Sequence, residues 1–137
     1  MISLLLLTYG ETGSQMIEAT SHVLGYSPEQ VGVLPAAYNE APESLAPRLE
    51  SIITLLNSGD GVLILTDLYG TTHTNVASRF IDSDNIEMLA GLNMAMLIRA
   101  LSYRNENMAD LINKVTDGGH DGIRLCSKLD NYKKLVP

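Results

Sequence analysis

Cysteine, basic residues and long apolar runs are all scarce in this chain, and each scarcity excludes something. There is one cysteine, Cys126, among 137 residues. A lone thiol forms no internal disulfide, so the reducing cytoplasm is the expected compartment. No second Cys or His stands at ligand spacing beside it, so it reads as a small apolar residue near the end of the chain. Lys and Arg together number 9 against 16 Asp and Glu, a formal charge of −7. With no basic stripe to offset it, that surface repels nucleic acid and anionic membranes, and neither is an expected partner. No segment approaches the run of about 18 apolar residues that would cross a bilayer. The opening Met-Ile-Ser-Leu-Leu-Leu-Leu has no preceding Lys or Arg. It runs into a glycine turn instead of a small-residue cleavage site, so it reads as a buried strand and not a leader. GxxxxGK[ST] is absent and Gly10-x-x-Gly13 lacks dinucleotide spacing, so no nucleotide is expected. Nor is there an HExxH or comparable cluster, and no metal or other cofactor is expected.

Hydrophobic residues make up 45% and charged residues 18%, the composition of a single globular domain. Ile2–Leu7 and Gly61–Thr66 are short continuous apolar runs bounded by turn residues, as in strands covered on both faces of a parallel sheet. Gln30–Leu34 and Ile86–Ala90 are weaker strands. Helical spacing runs from Gln15 to Leu24, with Thr12–Ser14 as cap candidates and Gly25 as the stop. It recurs at Leu45, Leu49, Ile52, Ile53 and Leu56, and over Asn75–Ile81, Met94–Leu101 and Met108–Val115. Gly118-Gly119 reads as a turn and Ile123–Cys126 as a final short strand, antiparallel at an edge. The alternation predicts an α/β domain over residues 1–126, with a mainly parallel sheet in the order 2-1-3-4 and helices on both faces. Residues 127–137 read as a polar tail.

Such sheets place their sites beyond the carboxyl ends of the strands, where the winding direction reverses. In this order the reversal lies between the first and third strands. Two polar, glycine-containing loops then face each other: Thr8–Gly13, and Asp67 to Asn75. Backbone N–H groups at Gly70–Thr74 and the hydroxyls of Thr71, Thr72 and Thr74 are candidates to hold a phosphoryl group. The alternative is that these threonines and Asn75 only cap the following helix. Asp67, directly after a buried strand, needs solvent or a partner across the reversal, or else serves an Asx turn. Of three histidines, His73 lies in this loop, and imidazole is the side chain suited to chemistry at neutral pH. His22 reads as a surface or half-buried helix residue and His120 as a turn residue.

Taken in order, four motifs resemble the mannose-type enzyme IIA family of the bacterial sugar phosphotransferase system. They are Thr8-Tyr9-Gly10, Asp67-Leu68-Tyr69-Gly70-Thr71-Thr72-His73-Thr74-Asn75, Gly91-Leu92-Asn93-Met94-Ala95-Met96 and Gly119-His120-Asp121-Gly122-Ile123. The resemblance implies a flavodoxin-like fold and a homodimer whose last antiparallel strand crosses to the partner. It also implies two protein partners, the histidine phosphocarrier protein and enzyme IIB. In the family, the histidine of the first motif carries the phosphoryl group and the aspartate of the second hydrogen-bonds to it. Carried over, these positions are Tyr9 and Asp67, with Thr72 and Asn75 at the hydroxyl and amide positions of the loop.

Three positions depart from the pattern. Tyr9 replaces the phosphoacceptor histidine, His73 replaces a proline of the loop, and Ala95 replaces a proline of the third motif. A neutral imidazole is a nucleophile at neutral pH, and a neighbouring carboxylate fixes its tautomer. A phenol, with an ordinary pKa of about 10, keeps its proton there. An aryl phosphate is also a poorer donor than a phosphoramidate. The resemblance therefore implies a relay lost at Tyr9 and a phenol free to donate a hydrogen bond to Asp67. The alternatives are phosphate carriage by His73, or a regulatory module that keeps only the partner surfaces.

Overall fold

The computed structural model describes residues 1–82 and 85–128. Four parallel strands form one sheet: β1 (Ser3–Tyr9), β2 (Val31–Ala36), β3 (Val62–Thr66) and β4 (Ile86–Ala90), in the order β2-β1-β3-β4. The predicted α/β class, parallel sheet and strand order are all present. Helices α1 (Thr12–Leu24), α2 (Pro42–Leu56), α3 (Thr72–Ser78), α4 (Met94–Tyr103) and α5 (Met108–Asp121) fill the connections.

The helices divide between the faces because the winding reverses. The chain steps from β1 to its neighbour β2 through α1, then crosses back over β1 to β3 through α2. Right-handed crossovers in opposite directions put their helices on opposite faces. Side-chain alternation along β1 follows. Leu4 and Leu6 enter a core with Leu63, Leu65, Leu97, Leu111 and Val115, against α1, α4 and α5. Leu5 and Leu7 enter a second core with Ile64, Leu45, Leu49, Ile53 and Val76, against α2 and α3. All four β1 leucines are fully buried, and each stabilises the fold by about 1.5–3 kcal/mol. The continuous apolar runs of β1 and β3 are thus two interleaved faces, one per core.

Several boundaries differ from the sequence expectation. Helix α1 starts at Thr12 without a side-chain cap; the Thr8 hydroxyl, from β1, accepts from Gly13 N–H at 2.7 Å instead. Helix α3 starts three residues before Asn75, because Thr71 caps it by accepting from Thr74 N–H at 3.2 Å. Gly118 and Gly119 are not a turn but lie inside α5. A Cβ at Gly118 would stand 2.4 Å from Arg99 Cγ, and one at Gly119 would stand 2.6 Å from Met96 Cγ. These glycines let α5 press against α4, a use that looks identical to a turn in sequence. The predicted antiparallel edge strand at Ile123–Cys126 is absent: residues 123–125 have no regular structure and Cys126–Lys128 is a 3-10 turn. An edge strand needs a partner edge, and among the described residues the segment pairs with none. The expected polar tail lies, from residue 129 onward, outside the described residues. Among the described residues no helix is long and apolar enough to cross a membrane.

Candidate functional site

The strand order sets the carboxyl end of β1 beside that of β3, with Leu7 opposite Thr66 in the register. The loops after them therefore meet. Asp67 turns back across the gap, and its Oδ2 accepts from the backbone N–H of Tyr9 at 2.8 Å. Its Oδ1 accepts from Leu68 N–H at 2.8 Å and sits 2.7 Å from His73 Nε2. Thr66 Oγ1 donates to the Leu7 carbonyl at 2.6 Å, fastening the two strands just below. Burial pushes the Asp67 carboxyl up, but the Tyr9 N–H, the His73 ring and the Leu68 N–H outweigh it and hold the group below the usual carboxylate range. Asp67 therefore acts as an ionised bridge between the loops.

Tyr9 follows the alternation of β1. It shares the parity of Leu5 and Leu7, so its ring points to the α2–α3 side. There it packs edge-on against the His73 imidazole, centroids 4.6 Å apart, and stacks on Tyr38 at 5.5 Å. The expected hydrogen bond from the Tyr9 phenol to Asp67 is not formed; the backbone N–H of Tyr9 makes the contact. The aromatic ring instead covers His73, which is 1% exposed. Tyr9, Ala36, Tyr38, Glu40, Thr72 and His73 border a small crevice at this edge. Arg48 Nη1 clamps both Glu40 oxygens, at 2.8 and 2.6 Å, and holds that carboxyl below its usual range.

The other loop residues divide into two groups. Thr71 and Thr74 are buried and spend their hydroxyls on each other and on nearby backbone: Thr71 Oγ1 to Thr74 Oγ1 at 3.2 Å, and Thr74 Oγ1 to the Thr71 carbonyl at 3.0 Å. For these two, the capping alternative holds. Gly70 turns the chain with φ of +85°; Gly70, Thr72 and Asn75 are exposed, and Thr72 borders the crevice. Asn75 lies inside α3 and does not cap it. His22 and His120 are exposed on α1 and α5, away from the crevice, and His120 is helical instead of in a turn. Cys126, expected as a small apolar residue near the end of the chain, is exposed. Among the described residues no cluster of three or more His, Cys, Asp or Glu has a metal-binding arrangement. Tyr38, Glu40 and Arg48 escaped sequence reasoning. The available signal was topological: β2 neighbours β1, so the loop after it opens on the same edge.

The model of the EIIA-man family, described as the phosphotransferase system (PTS) fructose IIA component, matches residues 3–116. The chain belongs to this mannose-type enzyme IIA family. Among relatives of this IIA chain is the PTS system mannose-specific EIIAB component of Escherichia coli K12, 28% identical over 139 residues. That alignment takes in 99% of the chain but only 42% of the longer relative. The PTS system fructose-specific EIIA component of Bacillus subtilis is 28% identical over 131 residues, covering 93% of this chain and 88% of that one. The crystal structure of a phosphotransferase component EIIA from Streptococcus agalactiae superposes with a TM-score of 0.83 at 26% identity, covering 94% of this chain and all of that one. The mannose/sorbose specific IIA subunit from Enterococcus faecalis shares the fold, with a TM-score of 0.80 at 23% identity, covering 90% of this chain and 93% of that one. Within this IIA fold Asn93 also finds its purpose. It caps α4 by accepting from Met96 N–H at 2.9 Å and reaches the Gly119 carbonyl of α5 at 3.3 Å.

Proposed function

We propose that this chain is an enzyme IIA-type protein that keeps the crevice of its family but does not relay phosphate in its resting form. It would meet the histidine phosphocarrier protein and enzyme IIB as a binding or regulatory module. One observation carries the reading. The position for a phosphoacceptor imidazole at the end of β1 holds Tyr9, and the one histidine bordering the crevice, His73, is 1% exposed with its Nε2 on Asp67. Transfer between proteins needs the acceptor nitrogen in line with the donor phosphorus, at about 3–3.5 Å. A covered ring offers no such approach. Tyr9 itself is half-buried, and a protonated phenol is a weak nucleophile.

What supports a homodimer is the position of β4 at the edge of the sheet, where among the described residues only Ile86 is bridged on the outer side, by Asp82, and the exposed Ile123 and Leu125 of the segment that follows α5. The experiment for the main reading is competition. Excess chain added to phosphotransfer between the phosphocarrier protein and an active enzyme IIA should slow that transfer while acquiring no phosphate itself. Stable phosphate on the added chain would overturn the proposal.

A further inference from the structure

The relay-deficient reading leaves one group unexplained. His73 is a buried imidazole in hydrogen-bond contact with a carboxylate, at the very crevice where the family does its chemistry. A buried imidazole needs an acceptor for its N–H, and here the acceptor is an anion in the crevice, which fixes the ring's tautomer as a neutral amide or hydroxyl would not. Asp67 already accepts from the N–H groups of Tyr9 and Leu68, with the Thr66 hydroxyl 3.3 Å from Oδ1, and the imidazole adds the shortest contact, at 2.7 Å. With Asp67 ionised, His73 Nε2 carries the proton and donates it to Oδ1. The lone pair then sits on Nδ1. This is the tautomer a nucleophilic imidazole requires, fixed by the hydrogen bond on its other nitrogen.

Resting on that reading, we propose that His73, paired with Asp67, is a latent phosphoryl acceptor closed by the ring of Tyr9. The loss at the end of β1 is then steric as well as chemical, because the residue that replaced the acceptor also covers a second one. The transfer balances without a proton moving. The N–P bond of a phosphohistidine donor breaks as a new N–P bond forms at His73 Nδ1. The donor leaves as neutral imidazole, and the positive charge passes to the His73 ring, where Asp67 lies against Nε2 to stabilise it. The nearby Glu40 does not oppose the incoming phosphoryl charge with a free carboxylate, since Arg48 neutralises it.

The test reads imidazole accessibility first and chemistry second. Native chain and the variants Tyr9→Phe and Tyr9→Ala are treated with diethylpyrocarbonate, and each histidine is followed by peptide mass. His22 and His120, both exposed, are internal references. In native chain and Tyr9→Phe, His73 should react roughly tenfold or more slowly than these two, as a group that must await local opening. In Tyr9→Ala it should approach them, while circular dichroism and cooperative thermal unfolding show the fold retained. Phosphoramidate, a small donor that needs no partner surface, should then place acid-labile phosphate on Tyr9→Ala and none on Tyr9→Ala/His73→Gln. A His73 that stays protected in folded Tyr9→Ala, or that becomes reactive without accepting phosphate, overturns the latent acceptor and leaves the relay-deficient reading standing. A His73 that reacts freely in the native chain overturns the closure by Tyr9.

Discussion

Replacing Asp67 by asparagine removes the bridge between the two loops while changing almost no volume. The carboxylate accepts Tyr9 N–H and Leu68 N–H at 2.8 Å each and faces His73 Nε2 at 2.7 Å, using both oxygens. An amide keeps one acceptor oxygen and turns an NH2 donor toward whatever the other oxygen served. In the better orientation the oxygen stays with Leu68 and His73, and the amide nitrogen confronts the Tyr9 N–H, donor against donor. Leaving one partly buried donor unsatisfied costs about 1–3 kcal/mol. For a chain of this size, that is a fall in Tm of roughly 3–9 °C. The pH dependence has a definite sign. The folded pKa of Asp67 lies below its ordinary value, so the stability it contributes is fully present above the unfolded pKa. That stability is lost as pH falls through the folded one. The gap between native chain and Asp67→Asn should therefore be full at neutral pH and close progressively below about pH 4. Urea unfolding followed by far-ultraviolet circular dichroism measures both. A gap under about 0.5 kcal/mol at neutral pH, where an unsatisfied donor should cost more, would refute the bridging role, as would one that persists unchanged in acid.

Two further predictions concern the frame. Gly61→Ala should destabilise the fold by about 3 kcal/mol, combining backbone strain with a steric clash. Gly61 has φ of +98°, and a Cβ there would meet the backbone oxygen of Asn85 at 2.4 Å; a urea midpoint within error of native would contradict that geometry. Sedimentation equilibrium should give the mass of two chains, and truncation after Asp121, which removes Ile123 and Leu125, should shift it toward one. A native monomer at high concentration would remove the dimer from the account.

What the sequence made legible was the frame. The apolar runs of β1 and β3 read as strands buried on both faces, and the reversal of winding then places Tyr9 and Asp67 together from topology alone. What it hid were contacts made by backbone and by parity. Nothing in the letters says that the N–H of Tyr9, and not its phenol, meets Asp67. Yet period-two alternation from Leu5 and Leu7 sends the Tyr9 ring toward α3, where His73 lies. The departures from the family pattern at Tyr9 and His73, which read as separate substitutions, are in contact. Gly118 and Gly119 were misread because close helix packing and a turn demand the same residue. Ile123–Cys126 does not form the expected strand, because a strand is defined by its partner and among the described residues this segment has none.

The central claim is tested most directly by incubating the native chain with phosphoenolpyruvate, enzyme I and the histidine phosphocarrier protein, with Tyr9→His in parallel, and reading intact mass before and after acid treatment. The account predicts no phosphate on the native chain and acid-labile phosphate on Tyr9→His, the mark of a sound scaffold whose relay stops at one residue. Acid-labile phosphate on the native chain would contradict it.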